Sequence, residues 1–202
     1  MLSIYELKPA FQSLLRPITA KLAKAGVTAN QVTVTATVIS FIAGGLLALF
    51  PEKYFLFLSL PLILFIRMGL NAIDGMLARE HHMKSPLGAI LNEMGDVLSD
   101  VALYLPFALI IDVNPLLVVA MVILAILTEM AGILGAQIGA SRRYDGPMGK
   151  SDRAFLFGLV GLLIGLGFNI FSWLNPLFVV INILLVVTII NRCRLAIREI
   201  TA

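Results

Sequence analysis

Long apolar stretches alternate with short polar segments along most of the 202-residue chain, and several of these segments contain a proline. About 20 consecutive apolar residues form a helix that can cross the hydrocarbon core of a bilayer. Pro115 and Pro176 are expected in the first turns of their helices, where proline is well tolerated. The pattern predicts six transmembrane helices, at 32–50, 54–78, 86–111, 115–140, 154–173 and 176–191.

The segment before the first span has a different pattern. Between Ile4 and Ala25, basic residues are interspersed with apolar residues such as Leu14 and Leu22. Such a pattern is typical of an amphipathic helix that lies on a membrane surface. We therefore expect an all-α integral membrane protein with a single membrane domain. Residues 1–30 would form a cytoplasmic amphipathic segment, and residues 31–202 the six-helix transmembrane domain.

The distribution of basic residues predicts the orientation in the membrane, because cytoplasmic loops are enriched in Lys and Arg. With both termini in the cytoplasm, 13 basic residues lie on the inner side and only Lys53 lies outside, while Arg67 falls within a span. Tyr54, Phe168 and Trp173 then lie near the outer interface, as aromatic residues commonly do. We predict a multi-pass protein of the inner (plasma) membrane whose active site faces the cytoplasm.

Composition excludes several other classes of protein. Hydrophobic residues make up 59% of the chain and charged residues only 13%, whereas a soluble domain has about 25% charged residues. The single cysteine, Cys193, excludes an internal disulfide and a cysteine-rich metal site. No nucleic-acid-binding module is visible, so we expect membrane lipid and not nucleic acid as a partner.

Polar residues within the predicted spans are concentrated in two consecutive helices. A charged side chain inside a bilayer costs about 2.5–3.5 kcal/mol even on insertion scales, so it usually faces a cavity. Spacings of three or four place residues on one helix face. Two such faces are Arg67, Asn71, Asp74 and Ala78 on the second span, and Gly88, Asn92, Asp96 and Asp100 on the third. A short inner loop joins the two helices, so both faces can meet in one cavity that opens to the cytoplasm.

Carboxylate and amide oxygens are the ligands that hard divalent cations prefer. We predict a hard-oxygen site suited to Mg²⁺, Mn²⁺ or Ca²⁺ rather than zinc, formed by members of this set: Asn71, Asp74, Asn92, Asp96 and Asp100. Such ions bind diphosphates and stabilise a departing phosphate. The alternative is that the buried polar residues only join helices to one another.

The same residues carry a motif that resembles the signature of the CDP-alcohol phosphotransferase family, D-x2-D-G-x2-A-R-x8-G-x3-D-x3-D. Here it reads Asn71-x2-Asp74-Gly75-x2-Ala78-Arg79-x8-Gly88-x3-Asn92-x3-Asp96, so every spacing matches and two aspartates are replaced by asparagine. The sequence from Gly26 to Thr33 is also similar to the family's entry to its first span, with Ala29 in place of proline.

The resemblance implies a six-helix fold, commonly dimeric, that transfers a phosphatidyl group from CDP-diacylglycerol to an alcohol with release of CMP in phospholipid biosynthesis. It implies that Asp74 and Asp96 bind metal and that Asp96 is also the catalytic base. It further implies that CDP lies against Gly75, Ala78 and Arg79, with Thr33 as an additional contact. The activity would be that of a metal-dependent CDP-alcohol phosphatidyltransferase.

Asn71 and Asn92 remove two of the four negative charges expected at the metal site. Asp100, one turn beyond Asp96, could restore part of this charge, and Arg67 could take the place of a cation. We therefore predict one firmly held divalent ion, or a second one held weakly. The replacements also leave open a catalytically silent or altered-substrate relative. A small transporter is a further alternative, although no internal repeat is visible.

Basic residues are also concentrated in the inner loop before the fifth span. They can indicate orientation alone or an acceptor pocket for an anionic group, since arginine binds phosphate in a bidentate manner. The predicted acceptor-binding residues are Arg142, Arg143, Lys150 and Arg153. A phosphorylated or anionic alcohol is the acceptor that this loop favours, but the sequence does not identify it.

Three further predictions concern the remaining polar and small residues. Glu129, an intramembrane acid, could pair with Arg67, and Arg67 could instead pair with Asp100. Arg192, Arg194 and Arg198 are expected to anchor the last helix to anionic lipid. Glycines at helical spacing indicate either close packing within the chain or a homodimer interface: Gly132, Gly135, Gly139, Gly158, Gly161 and Gly165.

Overall fold

In a computed structural model of the protein, the backbone is described for residues 4–201 and the side chains for residues 10–201, and every regular element there is helical. The all-α prediction is therefore confirmed. Within residues 4–201, seven α-helices follow one another: α1 (Ile4–Lys24), α2 (Ala29–Leu49), α3 (Ser59–Glu80), α4 (Pro86–Tyr104), α5 (Pro115–Gln137), α6 (Lys150–Gly165) and α7 (Phe171–Thr201). Two 3-10 helices precede α3 and follow α4, at Tyr54–Leu58 and Leu105–Leu109.

In the part of the chain that the structure describes, four segments are long and apolar enough to cross a membrane: Ala29–Leu49, Tyr54–Glu80, Pro115–Gln137 and Phe171–Thr201. The other two predicted spans correspond to α4 and α6. Three acids, Glu93, Asp96 and Asp100, lie within the 19 residues of α4, and α6 is only 16 residues long. By length and composition, four of the six predicted spans are candidates for crossing a membrane, and six crossings with cytoplasmic termini stay a prediction.

The boundary between the last two helices differs from the predicted one. The fifth span was expected to reach residue 173, but α6 ends at Gly165 because Gly167 adopts a positive φ of 83°. The N–H of Phe168 then donates to the carbonyl of Leu163, which completes a glycine-terminated helix end. Consequently α7 begins at Phe171, and Pro176 lies inside it and not in its first turn.

Other ends follow ordinary capping chemistry. Pro115 does occupy the first turn of α5, behind Asn114, whose side chain accepts a hydrogen bond from the Leu116 N–H at 3.0 Å. The third predicted span was too long: α4 ends at Tyr104 and continues as a 3-10 turn that contains Pro106. Proline lacks the N–H that a continuing α-helix requires.

The chain divides into two compact units, the first formed by residues up to Ile42 together with Ile63–Ser99. In this unit α1 is amphipathic as predicted. Its Leu15 and Leu22 pack against a buried core that includes Val32 of α2 and Leu77 of α3, whereas Leu14 is exposed.

Helix α2 begins with a reciprocal cap formed by Thr28 and Gln31. The N–H of Gln31 donates to the Thr28 hydroxyl at 3.2 Å, and the Thr28 N–H donates to the Gln31 side-chain oxygen at 2.9 Å. This is a capping box, which satisfies two N–H groups that the helix itself cannot pair. It gives the Gly26–Thr33 sequence a structural role: that of starting the helix on which Thr33 lies.

The second unit comprises Ala43–Leu62 and the residues from Asp100 onwards. Its core is aromatic: Phe157 stacks on Tyr104 at 4.2 Å and meets Phe107 edge-on at 4.9 Å, and Phe107 also contacts Phe57 at 5.1 Å. Helices α5 and α7 pack against each other along their lengths. These contacts join segments that are far apart in sequence.

Small residues serve close packing inside this second unit. A Cβ added at Gly132 would lie 2.7 Å from the Arg143 carbonyl oxygen, and one at Gly165 would lie 2.6 Å from the backbone of Leu58. At Gly161 the added atom would lie 3.0 Å from Leu60. For these glycines, the predicted alternative of close packing within the chain is therefore observed.

Candidate functional site

Five polar residues of the first unit form what we call the motif cluster: Thr33, Arg67, Asn71, Asp74 and Asp96. Helix α3 supplies Arg67, Asn71 and Asp74 at spacings of four and three, and these spacings place them on one face. A hydrogen bond from the Asn71 side chain joins that face to Asp96 of α4. The predicted meeting of the two polar helix faces is thus observed between α3 and α4.

Asp74 is held by a hydroxyl group. It is only 5% exposed, and the Thr33 hydroxyl donates to its Oδ2 at 2.7 Å. A buried carboxylate needs such donors to replace the water that it loses. Thr33 was predicted to contact the nucleotide; in this structure its hydroxyl contacts a predicted metal ligand.

Asp96 lies beside an amide and a guanidinium. The Asn71 Nδ2 donates to Asp96 Oδ1 at 2.9 Å, and Arg67 Nη2 lies 3.5 Å from the same oxygen. Arg67 Nη2 also donates to the Asp96 backbone carbonyl at 2.8 Å. The Asp96 side chain remains 20% exposed, against 4% for Arg67. Asp96 is therefore oriented by its neighbours and still accessible.

The small residues of the motif have two different uses. A Cβ at Gly75 would lie 3.0 Å from the Arg79 guanidinium, so the exposed Arg79 side chain lies across this bare stretch of α3. A Cβ at Gly88 would lie 2.6 Å from the Asn30 side-chain oxygen. Gly88 thus permits α4 to approach α2, whereas Gly75 and the half-buried Ala78 leave α3 open beside a cationic side chain.

The donor chemistry of the motif cluster fits one divalent cation. Asp74 and Asp96 carry two negative charges, against the two positive charges of one such ion and the one of Arg67, and asparagine contributes neutral oxygen ligands. Among residues 10–201, no three Asp, Glu, His or Cys side chains converge in a metal-binding group. Positions 71 and 92, which are aspartates in the family signature, are asparagines in this chain.

A second set of polar residues lies in the second unit. We call it the arginine cluster, and it consists of Asp100, Thr128, Glu129, Arg153 and Arg192. All five are buried, and Arg153 is 1% exposed.

Arg153 directs every N–H of its guanidinium to a neighbour. Nε and Nη2 donate to Asp100 Oδ2 at 3.2 and 2.9 Å, and Nη2 also donates to Glu129 Oε1 at 3.0 Å. Nη1 donates to the Thr128 hydroxyl at 3.1 Å and to the Met148 carbonyl at 3.3 Å. These contacts account for all five donors of an arginine. Arg153 was predicted to bind the acceptor and Asp100 to bind metal; in this structure the two residues bind each other.

Arg192 corrects a prediction and completes this cluster. It was expected to anchor α7 to lipid, but it is 2% exposed. Its Nε donates to the Asp145 carbonyl at 3.2 Å, and its Nη1 donates to the Thr128 carbonyl and lies 3.6 Å from Glu129 Oε1. The sequence contains a signal for this placement: Arg192 falls on the buried stripe of α7 that includes Leu185, Thr188 and Ala196, whereas Arg194 and Arg198 lie off that stripe and are exposed.

Glu129 thus has arginine partners that the sequence did not reveal. Besides Arg153 and Arg192, Arg142 Nη2 lies 3.9 Å from its Oε2. The predicted partner was Arg67, which in this structure contacts Asp96. Residues 142, 153 and 192 belong to three separate segments, so no spacing pattern could have indicated their convergence on one carboxylate.

In the loop between α5 and α6, Arg143 forms two ion pairs. Arg143 contacts Asp145 at 2.8 Å and Glu199 at 2.6 Å, and its hydrogen bond to Asp145 is the main reason that its pKa is raised. The Arg142 guanidinium stacks over Tyr144 at 5.0 Å. Lys150 begins α6. The basic groups of this loop are therefore accompanied by acids, which reduce its net positive charge.

Helices long and apolar enough to span a membrane, together with polar faces of α3 and α4 that meet, are features of an integral membrane protein with a polar site between two neighbouring helices. A model of the CDP-alcohol phosphatidyltransferase family matches residues 26–192. The chain belongs to this family, and the predicted family resemblance is confirmed.

Individual relatives agree with this assignment. The inner membrane protein YnbA of Escherichia coli (strain K12) is 51% identical over 193 residues, which cover 96% of each chain. The solved structure of Mycobacterium tuberculosis phosphatidylinositol phosphate synthase with CDP-DAG bound has a TM-score of 0.74 at 19% identity, covering 89% of this chain and 92% of that one. The structure of the same enzyme in complex with manganese and citrate has a TM-score of 0.70 at 20% identity, and the match covers 89% of this chain and 87% of that one. At these identities, the structural likeness shows a shared fold.

Proposed function

We propose that the protein transfers a phosphatidyl group from CDP-diacylglycerol to the hydroxyl of an alcohol and releases CMP, at the cytoplasmic side of the inner membrane. The observation that carries this proposal is the motif cluster: Asp74 and Asp96 occupy family motif positions on neighbouring helices and are oriented by Thr33 and Asn71. The solved relative with CDP-DAG bound and the inner-membrane relative support the substrate and the location.

Each residue has a defined part in the proposed reaction. The acceptor oxygen attacks the phosphorus that carries the lipid, and the bond from that phosphorus to the CMP oxygen breaks. Asp96 receives the proton of the attacking hydroxyl, as a general base. Arg79, whose guanidinium lies across Gly75, neutralises charge on the departing phosphate.

The proposed ion is Mg²⁺ or Mn²⁺, held by Asp74 and Asp96 with the amide oxygens of Asn71 and Asn92. When bound, such an ion neutralises negative charge on a diphosphate and its leaving group. A manganese complex of the solved relative supports this choice of ion. Asp100 is left out of the proposed ligand set because it binds Arg153 in the arginine cluster.

Several other features of the proposal come from the family resemblance and the sequence. We infer six membrane crossings with cytoplasmic termini, and a homodimer. We expect Arg142, Arg143 and Lys150 to recognise the acceptor, with Arg153 as a buried support for that region. The acceptor is an alcohol whose identity an acceptor screen would establish.

A screen with radiolabelled CDP-diacylglycerol and a panel of alcohols tests the proposal. Purified protein with Mg²⁺ or Mn²⁺ should release CMP with at least one alcohol from a panel that includes glycerol 3-phosphate, inositol phosphate and serine. Asp96→Asn should lower kcat by about 10²–10⁴-fold, the usual contribution of a general base, and Asp74→Asn should lower activity comparably.

Glu52→Gln provides the matched control, because Glu52 is an exposed acid in a loop outside the motif. Its activity should equal that of the wild type. Full activity in Asp96→Asn would contradict the proposed role of this carboxylate. No CMP release with any alcohol would instead favour the silent relative that the asparagines at 71 and 92 suggest.

A further inference from the structure

The replacement of an aspartate by Asn71 changes the hydrogen-bonding character of its position. An ionised aspartate only accepts hydrogen bonds, whereas an asparagine amide also donates them. Here the Asn71 amide donates to Asp96 Oδ1 at 2.9 Å. A carboxylate at position 71 in the same place would repel Asp96 unless a cation or a proton lay between them. Asn71 therefore holds Asp96 by a direct bond that a cation would otherwise have to mediate.

Arg67 adds a permanent positive charge at the same carboxylate. Its guanidinium is buried, contacts the Asp96 backbone carbonyl and lies 3.5 Å from Asp96 Oδ1. Arginine stays protonated in proteins. Because the side chain is anchored by the carbonyl bond, the charge is fixed beside Asp96 and does not depend on the metal concentration.

The charges of the motif cluster limit how many divalent ions it can hold. Asp74 and Asp96 supply two negative charges, Arg67 supplies one positive charge, and Thr33 and Asn71 are neutral. One divalent ion already gives the cluster a net positive charge. A second one would have to bind against the first ion and Arg67, at a carboxylate that is already hydrogen-bonded.

We propose that Asn71 and Arg67 take the place of a second divalent cation, so that each chain holds one ion. The ligand class is a single hard divalent cation, Mg²⁺ or Mn²⁺. The inference rests on the proposed function for the identity of the metal site, but ion binding is measured without any substrate. The one-ion proposal and the proposed function can therefore fail independently of each other.

Titration of purified full-length protein with Mn²⁺, followed by electron paramagnetic resonance and calorimetry without nucleotide, tests the proposal. The wild type should bind one Mn²⁺ per chain, and Asn71→Asp combined with Asn92→Asp should bind two. Asn114→Asp is the matched control: it adds the same kind of charge at a helix N-cap, where aspartate is favourable, and should leave the number of ions at one.

A second variant does not depend on adding acids to the cluster. Arg67→Gln removes the charge but keeps a donor for the Asp96 carbonyl, and it should tighten Mn²⁺ binding by about tenfold because like-charge repulsion is removed. The proposal would be overturned if the wild type bound two tight ions or none. It would also be overturned if the folded double variant kept the wild-type stoichiometry, or if Arg67→Gln bound Mn²⁺ with unchanged affinity. If the stoichiometries were as expected but no CMP was released in the acceptor screen, the one-ion proposal would stand and the proposed function would be contradicted.

Discussion

The two polar clusters of this protein pair their carboxylates in different ways. In the arginine cluster, Asp100 and Glu129 meet guanidinium groups, and Arg153 is 1% exposed. In the motif cluster, Asp74 meets a hydroxyl and Asp96 meets an amide beside one arginine, and Asp96 is 20% exposed. The first arrangement neutralises its charges internally, and the second leaves carboxylates that a cation can neutralise.

From this difference we expect a stabilising role for the arginine cluster and a ligand-binding role for the motif cluster. A buried ion pair with satisfied hydrogen bonds is very costly to break by removing one partner, although the intact pair itself can contribute little net stability. The motif cluster contains two carboxylates and one arginine, so it keeps a net negative charge that a cation can neutralise. Substitutions in the arginine cluster should therefore act mainly on folding, and those in the motif cluster mainly on binding and catalysis.

The largest effect on stability is expected for Arg153→Met. Removal of this guanidinium leaves Asp100 buried without its arginine, which should cost about 3–5 kcal/mol. Thermal unfolding of the protein in detergent measures the loss. Arg194→Met, an exposed arginine on α7, is the matched control and should change little.

A double variant sharpens this expectation. Arg153→Met with Asp100→Asn removes the uncompensated negative charge, leaves Glu129 beside Arg192, and should recover part of the stability. If Arg153→Met alone melted at the wild-type temperature, the arginine cluster would not have the structural role assigned to it here.

An intermediate effect is expected when close packing near each cluster is disturbed. In Gly132→Ala, the new Cβ would lie 2.7 Å from the carbonyl oxygen of Arg143, and this backbone cannot move easily. The resulting overpacking should lower the free energy of unfolding by about 1–3 kcal/mol. In Gly88→Ala, the new Cβ would lie 2.6 Å from the Asn30 side chain, and this side chain can rotate away. The loss of stability should therefore be smaller. Thermal unfolding compares the two.

Gly69→Ala is the control for both, because an added Cβ there has no neighbour within 4 Å. It lies on a helix, where alanine is favoured over glycine by about 1 kcal/mol, so it should be neutral or stabilising. Equal losses at positions 88 and 132 would show that the two regions are equally rigid, contrary to the comparison.

The smallest effect is expected outside both clusters, at the ion pair between Arg16 of α1 and Glu80 of α3. The two side chains contact each other at 2.9 Å but are exposed. Exposed pairs contribute about 0–1 kcal/mol, so Arg16→Ala should lower stability by no more than this. Because salt screens exposed charges, the difference from the wild type should shrink at high ionic strength. A loss that persists in high salt would indicate a packing role for the arginine stem.

The site itself could be predicted only where its residues are close in sequence. Spacings of three and four placed Asn71 and Asp74 on one helix face, and the short connection to α4 brought Asp96 to them. The role of Asn71 as a donor to Asp96 could not be read from spacing, because it depends on the orientation of a side-chain amide. Long-range pairing was also missed for Arg192, although its position on the buried stripe of α7 was a usable signal.

The helical class, the membrane character, the family and the motif residues could be read from the sequence, because helical periodicity, apolar length and motif spacing are local properties of a chain. Three features became evident only in the folded protein: the three arginines near Glu129, the hydrogen bond from Thr33 to Asp74, and the start of α7 at Phe171. Those outcomes depend on which distant segments pack together and on where a single glycine ends a helix. A buried charge takes its partner from whatever the fold brings close, and that choice is made in three dimensions.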